Sequence, residues 1–247
     1  MFSATYLLAD VAIRIESQYA EVQQMCAPYA TQLPAEITVR TTPQEIVDEA
    51  RLSDRAHQLE GLPPTEYRPD YLETLTIYRK IAEALLSRGV LLIHGSVVAV
   101  DGEAYMFTAK SGTGKSTHVA LWRQLFGQRA VMVNDDKPLL RISPEGVTVY
   151  GTPWDGKHHL SNNISVPLRA FVVLRRGDQN QIRPASFVET YPILLQQTHY
   201  APQVSTTNET LRLMAVMSEH VGFYELHCNM DPEAARVAYR GITGCDA

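Results

Sequence analysis

Six consecutive residues, Ser111-Gly112-Thr113-Gly114-Lys115-Ser116, concentrate groups suited to holding an anion. Gly112 and Gly114 lack a Cβ, so the chain can turn tightly and aim several backbone N–H groups at one point. Lys115 adds a compact positive charge, and the Ser116 hydroxyl is of the type that ligates Mg²⁺ beside bound phosphates. Thr117 extends the hydroxyl set into the next turn. The pattern departs from the usual one at its opening, where Ala109 stands in place of glycine; that is tolerable only if this residue keeps φ negative. The flanks fit the motif. Residues 104–108 read as a strand, and from about Lys115 to Leu125 a helix is expected, with Val119, Ala120, Leu121 and Leu125 lining one face. Its positive dipole end would point at the same anion.

A second set of chemically apt residues follows. The apolar run 130–133 ends in Asn134-Asp135-Asp136. Carboxylates at a strand tip near a phosphate loop are placed to handle Mg²⁺ or the proton of an attacking hydroxyl, and two of them allow a division of labour. Residues 150–160 read Tyr-Gly-Thr-Pro-Trp-Asp-Gly-Lys-His-His-Leu. Glycine and proline shape a loop there. Trp154 offers a flat face, Asp155 an acid, and Lys157, His158 and His159 a basic cluster suited to an anionic acceptor. Adjacent histidines point to different sides of a strand or helix, which argues against a shared metal. Arg175 and Arg176, at the end of the apolar run 170–174, either reach phosphates or stand solvated beside a turn.

The elements that must position these groups narrow the architecture. Residues 90–93 and 96–100 are apolar runs separated by His94-Gly95, and Asp101-Gly102 separates the second run from the loop strand. Asp-Gly between apolar segments is a strong hairpin signal. The loop strand is therefore expected to pair antiparallel with its predecessor, unlike nucleotide-binding folds that feed the loop from a parallel strand.

Taken together, Ile93-His94-Gly95-Ser96, the hairpin, the loop and Asn-Asp-Asp resemble the catalytic domain of bacterial HPr kinase/phosphorylase and, more distantly, the nucleotide site of ATP-dependent phosphoenolpyruvate carboxykinase. The likeness covers roughly residues 90–180. It implies an α/β P-loop kinase core with a mixed sheet. It also implies ATP and Mg²⁺ as cofactors, with Ser111 through Thr117 on the phosphates, and Lys115 and Ser116 holding phosphate and metal. Asp135 would be the base, Asp136 would assist Mg²⁺, and His94 would lie close to the transferred phosphate. The family's second, glycine-rich signature is missing, which puts HPr itself in doubt as substrate.

Composition fits such an enzyme. The 247 residues carry a net charge of −5, with 45% hydrophobic and 20% charged residues, ordinary for a globular protein. The acidic balance argues against a nucleic-acid partner. No apolar run approaches the roughly 20 residues that span a membrane. Asp10 comes early in a start lacking a basic stretch and an apolar core, so no signal peptide is expected and the cytoplasm is the expected location. Cys26, Cys228 and Cys245 show no metal spacing and read as free thiols.

Outside the site, residues 5–15 and 36–40 read as strands, and 16–29 as helix-compatible. Thr42-Pro43-Gln44-Glu45 reads as a helix start. The segment 61–69, with Gly61 and three prolines, reads as a connector. A helix is expected from Asp70 to Arg88, ending near Gly89. Farther on, residues 187–197 read as helix, 222–228 as strand, and Asp231-Pro232-Glu233 opens a terminal helix. This organisation gives a small α+β extension over 1–65 and a catalytic domain over 66–247. The expected activity is γ-phosphoryl transfer to a hydroxyl on a protein, peptide or small metabolite. An acceptor-free nucleotide switch with slow ATPase activity is the alternative, and homo-oligomers are compatible with either.

Overall fold

The computed structural model describes residues 1–59, 66–110, 112–201 and 203–246. Ser111 and most of the expected 61–69 connector lie outside them. The chain forms two compact units, Met1–Leu85 and Leu86–Ala247.

In the first unit, β1 (Phe2–Leu8) and β2 (Val11–Ser17) form an antiparallel hairpin, which β3 (Ile37–Arg40) extends in parallel to β2. The single strand expected over 5–15 is thus two. Ala9 and Asp10 make the turn at φ 46° and 59°, and without a glycine there the turn carries no strong signal. The helix expected over 16–29 shortens to α1 (Glu21–Cys26), because β2 runs through Ser17. Helix α2 (Pro43–Leu59) opens on the anticipated capping box. Glu45 N–H donates to the Thr42 hydroxyl at 3.3 Å, and the Glu45 carboxylate accepts from Thr42 N–H at 2.8 Å. Helix α3 (Pro69–Leu86) supplies Glu73, a fully buried carboxylate that accepts from the backbone N–H groups of Gln18 and Tyr19 and from the Thr41 hydroxyl. Those bonds place α3 in the first unit. The two compact units divide at 85/86; the 65/66 boundary read from the proline cluster falls at the edge of residues outside those described.

The second unit begins with β4 (Val90–Ile93), β5 (Ser96–Val100) and β6 (Glu103–Thr108), followed by α4 (Lys115–Phe126) and β7 (Ala130–Asn134). The hairpin β8 (Leu139–Ser143) and β9 (Gly146–Tyr150) leads to the long β10 (Ser165–Arg176), then β11 (Gln181–Pro184) and α5 (Phe187–Gln197). The short β12 (Thr198–His199), α6 (Val204–His220), β13 (Gly222–Cys228) and α7 (Glu233–Thr243) complete it. Its described strands make one ten-stranded mixed sheet, ordered β12-β4-β8-β9-β10-β6-β5-β7, with β13 on β10 and β11 on β13.

Strand β10 joins two regimes. Ser165–Pro167 pair antiparallel with β9, while Ala170–Arg176 run parallel to β13 and Ala170–Val173 parallel to β6. The anticipated hairpin is present: β5 and β6 pair antiparallel across Asp101 and Gly102, at φ 52° and 86°. Alternate residues of one strand feed opposite cores. Val97 and Ala99 pack with Leu194 of α5 and Met214 and Met217 of α6. Val98 and Val100 pack with Val119 and Trp122 of α4 and Ala235 and Ala238 of α7. A sheet covered on both faces needs apolar residues at every position, which explains the unbroken runs in β4 and β5.

Candidate active site

The loop between β6 and α4 stands at the carboxyl ends of the parallel strands β6, β10 and β13, where open α/β sheets present ligand crevices. Gly112 and Gly114 adopt φ 73° and 122°, conformations an L side chain resists. A Cβ built on either would meet nothing within 4 Å; the glycines leave open space beside backbone that only they adopt readily. Ala109, the residue that departs from the motif, is buried and is not among the positive-φ residues. Lys115 Nζ reaches back to the Ala109 carbonyl at 3.3 Å. Arg176, at the end of β10, donates to the Gly112 carbonyl at 2.6 Å and ties the loop to the neighbouring strand.

Asn134 organises the acidic turn. Its side-chain oxygen accepts from the N–H groups of Asp136 and Lys137 at 2.8 and 2.6 Å, and its amide nitrogen donates to Thr152 and to the Trp154 carbonyl. The Ser96 hydroxyl donates to the Asp135 carbonyl, and Gly95 N–H to the Asp136 carbonyl. The turn is thus fastened on one side to the β4–β5 connection and on the other to the 151–162 loop.

The two aspartates are sorted by their partners. Asp135 is 7% exposed, and one of its oxygens accepts from Gly156 N–H at 2.6 Å. It shares a cleft of about 310 Å³ with Ser96, Ser116, Arg123 and His158. Asp136 turns to other company: one oxygen meets His94 Nε2 at 3.0 Å and the other pairs with Lys137. Burial alone would raise the Asp136 carboxyl, but the hydrogen bond from His94 and the Lys137 charge outweigh it and hold the group well below the usual carboxylate range. A cation at Asp136 would have to share its oxygens with these partners.

The structure therefore brings Ser116, Asp135 and His158 to one cleft and pairs His94 with Asp136. Gly112, Thr113, Gly114 and Thr117 line a second cleft on the loop's other side, about 620 Å³ in volume. The 150–160 segment only partly meets expectation. Trp154 is 5% exposed; its main chain is anchored to Asn134, so its ring is packed inside and not displayed. Asp155 is engaged by His159 and the Ser161 hydroxyl, each at 2.9 Å. Lys157 is exposed. Arg123 was not singled out from sequence. Its signal was its spacing: Ser116, Val119, Ala120 and Arg123 stand at i, i+3, i+4 and i+7 on α4, and all four line the smaller cleft. Among the described residues no group of three or more His, Cys, Asp or Glu side chains clusters as a metal centre, and no helix is long and apolar enough to cross a membrane.

No protein-family model and no curated protein matches the chain in sequence. Among solved structures, the Hpr(Ser) kinase/phosphatase from Coxiella burnetii is similar at 11% identity, with a TM-score of 0.35, over 60% of this chain and 94% of that one. That likeness is too slight to assign an activity.

Proposed function

We propose that this protein is an ATP- and Mg²⁺-dependent kinase that transfers the γ-phosphoryl group to a hydroxyl. The observation that carries the reading is the shared cleft of Ser116, from the glycine loop, and Asp135, a buried carboxylate with one oxygen anchored. The open cradle at Gly112 and Gly114 fits phosphate. Ser116 fits Mg²⁺, which takes few protein oxygens and completes its shell with phosphate and water.

Bound Mg²⁺ would neutralise charge on the phosphates. The chain's own groups do the rest. Backbone N–H groups of the loop and the α4 N-terminus hold the phosphates, and Lys115 adds positive charge where negative charge builds. Gly156 N–H fixes one Asp135 oxygen, leaving the other to take the acceptor's proton. The acceptor oxygen then bonds to phosphorus as the bond to ADP breaks. We assign Asp136 to orienting the His94 imidazole, with which it pairs at 3.0 Å. Arg123 puts a positive charge, and His158 a polar ring, at the same cleft, suited to an anionic acceptor.

The test is transfer of label from γ-labelled ATP, with Mg²⁺, into a host-cell extract split into protein and small-molecule fractions. Label should reach one fraction, vanish with Lys115→Ala, and fall by about 10²–10⁴ with Asp135→Asn, the range for loss of a general base. Label released only as free phosphate would replace the kinase with a nucleotide-dependent switch.

A further inference from the structure

The smaller cleft follows one face of α4 from the proposed place of transfer to an arginine at its other end. Ser116 and Arg123 stand seven residues apart on the helix and both line the cleft, so the groove they share extends about 10 Å along the axis. The facing wall gives the same length. Met132, on β7, and Asp135, in the turn after it, line that wall, three residues and again about 10 Å apart. Helix α4 leads away from the transfer end and β7 returns toward it, so the two walls agree on which end is which.

The two ends carry opposite charges that leave each other alone. Asp135 has one oxygen held by Gly156 N–H. Arg123 is exposed and has no carboxylate or carbonyl partner among the described residues. Arginines elsewhere in the same unit are matched: Arg129, Arg169 and Arg183 pair with Asp101, Glu103 and Glu189 at 2.6–3.1 Å. Asp135 and Arg123 thus share a cleft without forming an ion pair. Val119, Ala120, Met132 and Leu160 give that cleft apolar walls, Val119 and Met132 being buried. A guanidinium fork matches a carboxylate through two parallel hydrogen bonds. The volume of about 310 Å³ stands at the lower edge of the roughly 300–1,000 Å³ usual for small-molecule sites.

We infer that the acceptor is a small hydroxy acid whose hydroxyl meets Asp135 and whose carboxylate, about 10 Å away across an apolar stretch, is taken by Arg123. The inference rests on the kinase reading above and names its substrate class. The acceptor oxygen bonds to the γ-phosphorus, the bond to ADP breaks with its electron pair leaving on ADP, and Asp135 takes the hydroxyl proton. Arg123 touches no reacting atom. It decides which hydroxyl compounds are held with their oxygen in line, and so acts on specificity. An alcohol without the anion lacks its anchor, and a short hydroxy acid does not span the groove.

The experiment gives the full chain ATP, Mg²⁺ and one of three probes, and measures the phosphorylated probe. Omega-hydroxyoctanoate sets its hydroxyl and carboxylate about 10 Å apart when extended, the span of about three extended residues. The octanediol of the same length has no charge, and glycolate has both groups without the reach. The kcat/KM for omega-hydroxyoctanoate is expected to exceed that for either other probe by at least about tenfold, the worth of one charge-assisted hydrogen bond. Arg123→Gln should bring the acid down to the level of the diol, and Arg123→Lys should keep part of the difference. The comparison of probes on the unaltered protein stands even where a variant fails to fold. Equal use of acid and diol, equal use of glycolate, or an acid-to-diol ratio unmoved by Arg123→Gln overturns the inference while the kinase reading stands. So does label that passes from ATP into the cell extract but into none of the probes, or only into the extract's protein fraction. Label reaching neither probes nor extract overturns the kinase reading and the inference with it.

Discussion

At Asp135 the proposed chemistry depends on an oxygen being held still by a glycine. A Cβ built on Gly156 would stand 3.0–3.4 Å from all three atoms of the Asp135 carboxylate. Gly156→Ala therefore has to push that carboxylate off its hydrogen bond with residue 156 or twist the loop. Transfer is expected to fall by about 10²-fold, the size of effect a small misplacement of a reacting group produces. The melting temperature should change little, because the carboxylate tip is free to shift within the cleft. A variant with full activity would show that the Gly156 contact has no part in placing Asp135. Asp136 behaves differently, since its charge is compensated twice. Its folded-state pKa is depressed, so its pairing stabilises the fold above the ordinary carboxylate range and is lost as pH falls below it. Lys137→Met removes one compensating charge. It should raise the apparent Asp136 pKa, seen as the carbon-13 carboxyl resonance titrating at higher pH than in the parent protein.

The 151–162 loop reaches the site because its stems are pinned to one another and one of them is pinned to β7. Gly151 N–H donates to Ile164 and Asn162 N–H donates to Val133, at 3.0 and 3.1 Å. The backbones pass so closely that a Cβ on Gly151 would lie 1.8 Å from the Asn162 carbonyl oxygen. Gly151→Ala thus meets rigid backbone where Gly156→Ala meets a side-chain tip. It should destabilise by about 3 kcal/mol or more, the upper range for overpacking, measured by urea unfolding; a cost below 1 kcal/mol would mean the loop stems are free to part. The sequence disclosed this region unevenly. Turn chemistry announced the β5–β6 hairpin through Asp101-Gly102, and capping residues announced α2. The Ala9–Asp10 turn and helix α6 announced neither, since their residues lack strong turn or cap signals. At the site, Lys115, Ser116 and Asp135 were legible because motif spacing fixes their neighbours in the chain. Trp154 was misjudged as displayed: aromatic residues among Gly and Pro look like a surface loop, and only the bonds from Asn134 show why the loop folds inward. Arg123 was missed because its place comes from which cleft its face of α4 meets, and that is decided by the packing of the whole sheet.

At the scale of the molecule, the second unit keeps a histidine neutral in its core, and that has a consequence for its stability. His118 sits between Phe107 and Trp122, and burial lowers its pKa from 6.5 to about 4. Between those two values the unfolded chain binds a proton that the folded chain refuses, so stability must fall as pH falls through that window. One such group accounts for about 2 kcal/mol lost between pH 7 and pH 5. Both tryptophans of the chain, Trp122 and Trp154, belong to the second unit, so their fluorescence during urea unfolding reads that unit specifically. His118→Gln keeps a polar side chain without a titrating ring, and its stability should differ between pH 7 and pH 5 by about 2 kcal/mol less than the parent's. Equal slopes would mean that His118 takes up its proton inside the fold. A charged ring there would donate from both nitrogens, which is incompatible with the Trp122 bond. The pH dependence of the fold therefore tests the neutral tautomer that the Trp122 bond assigns to His118.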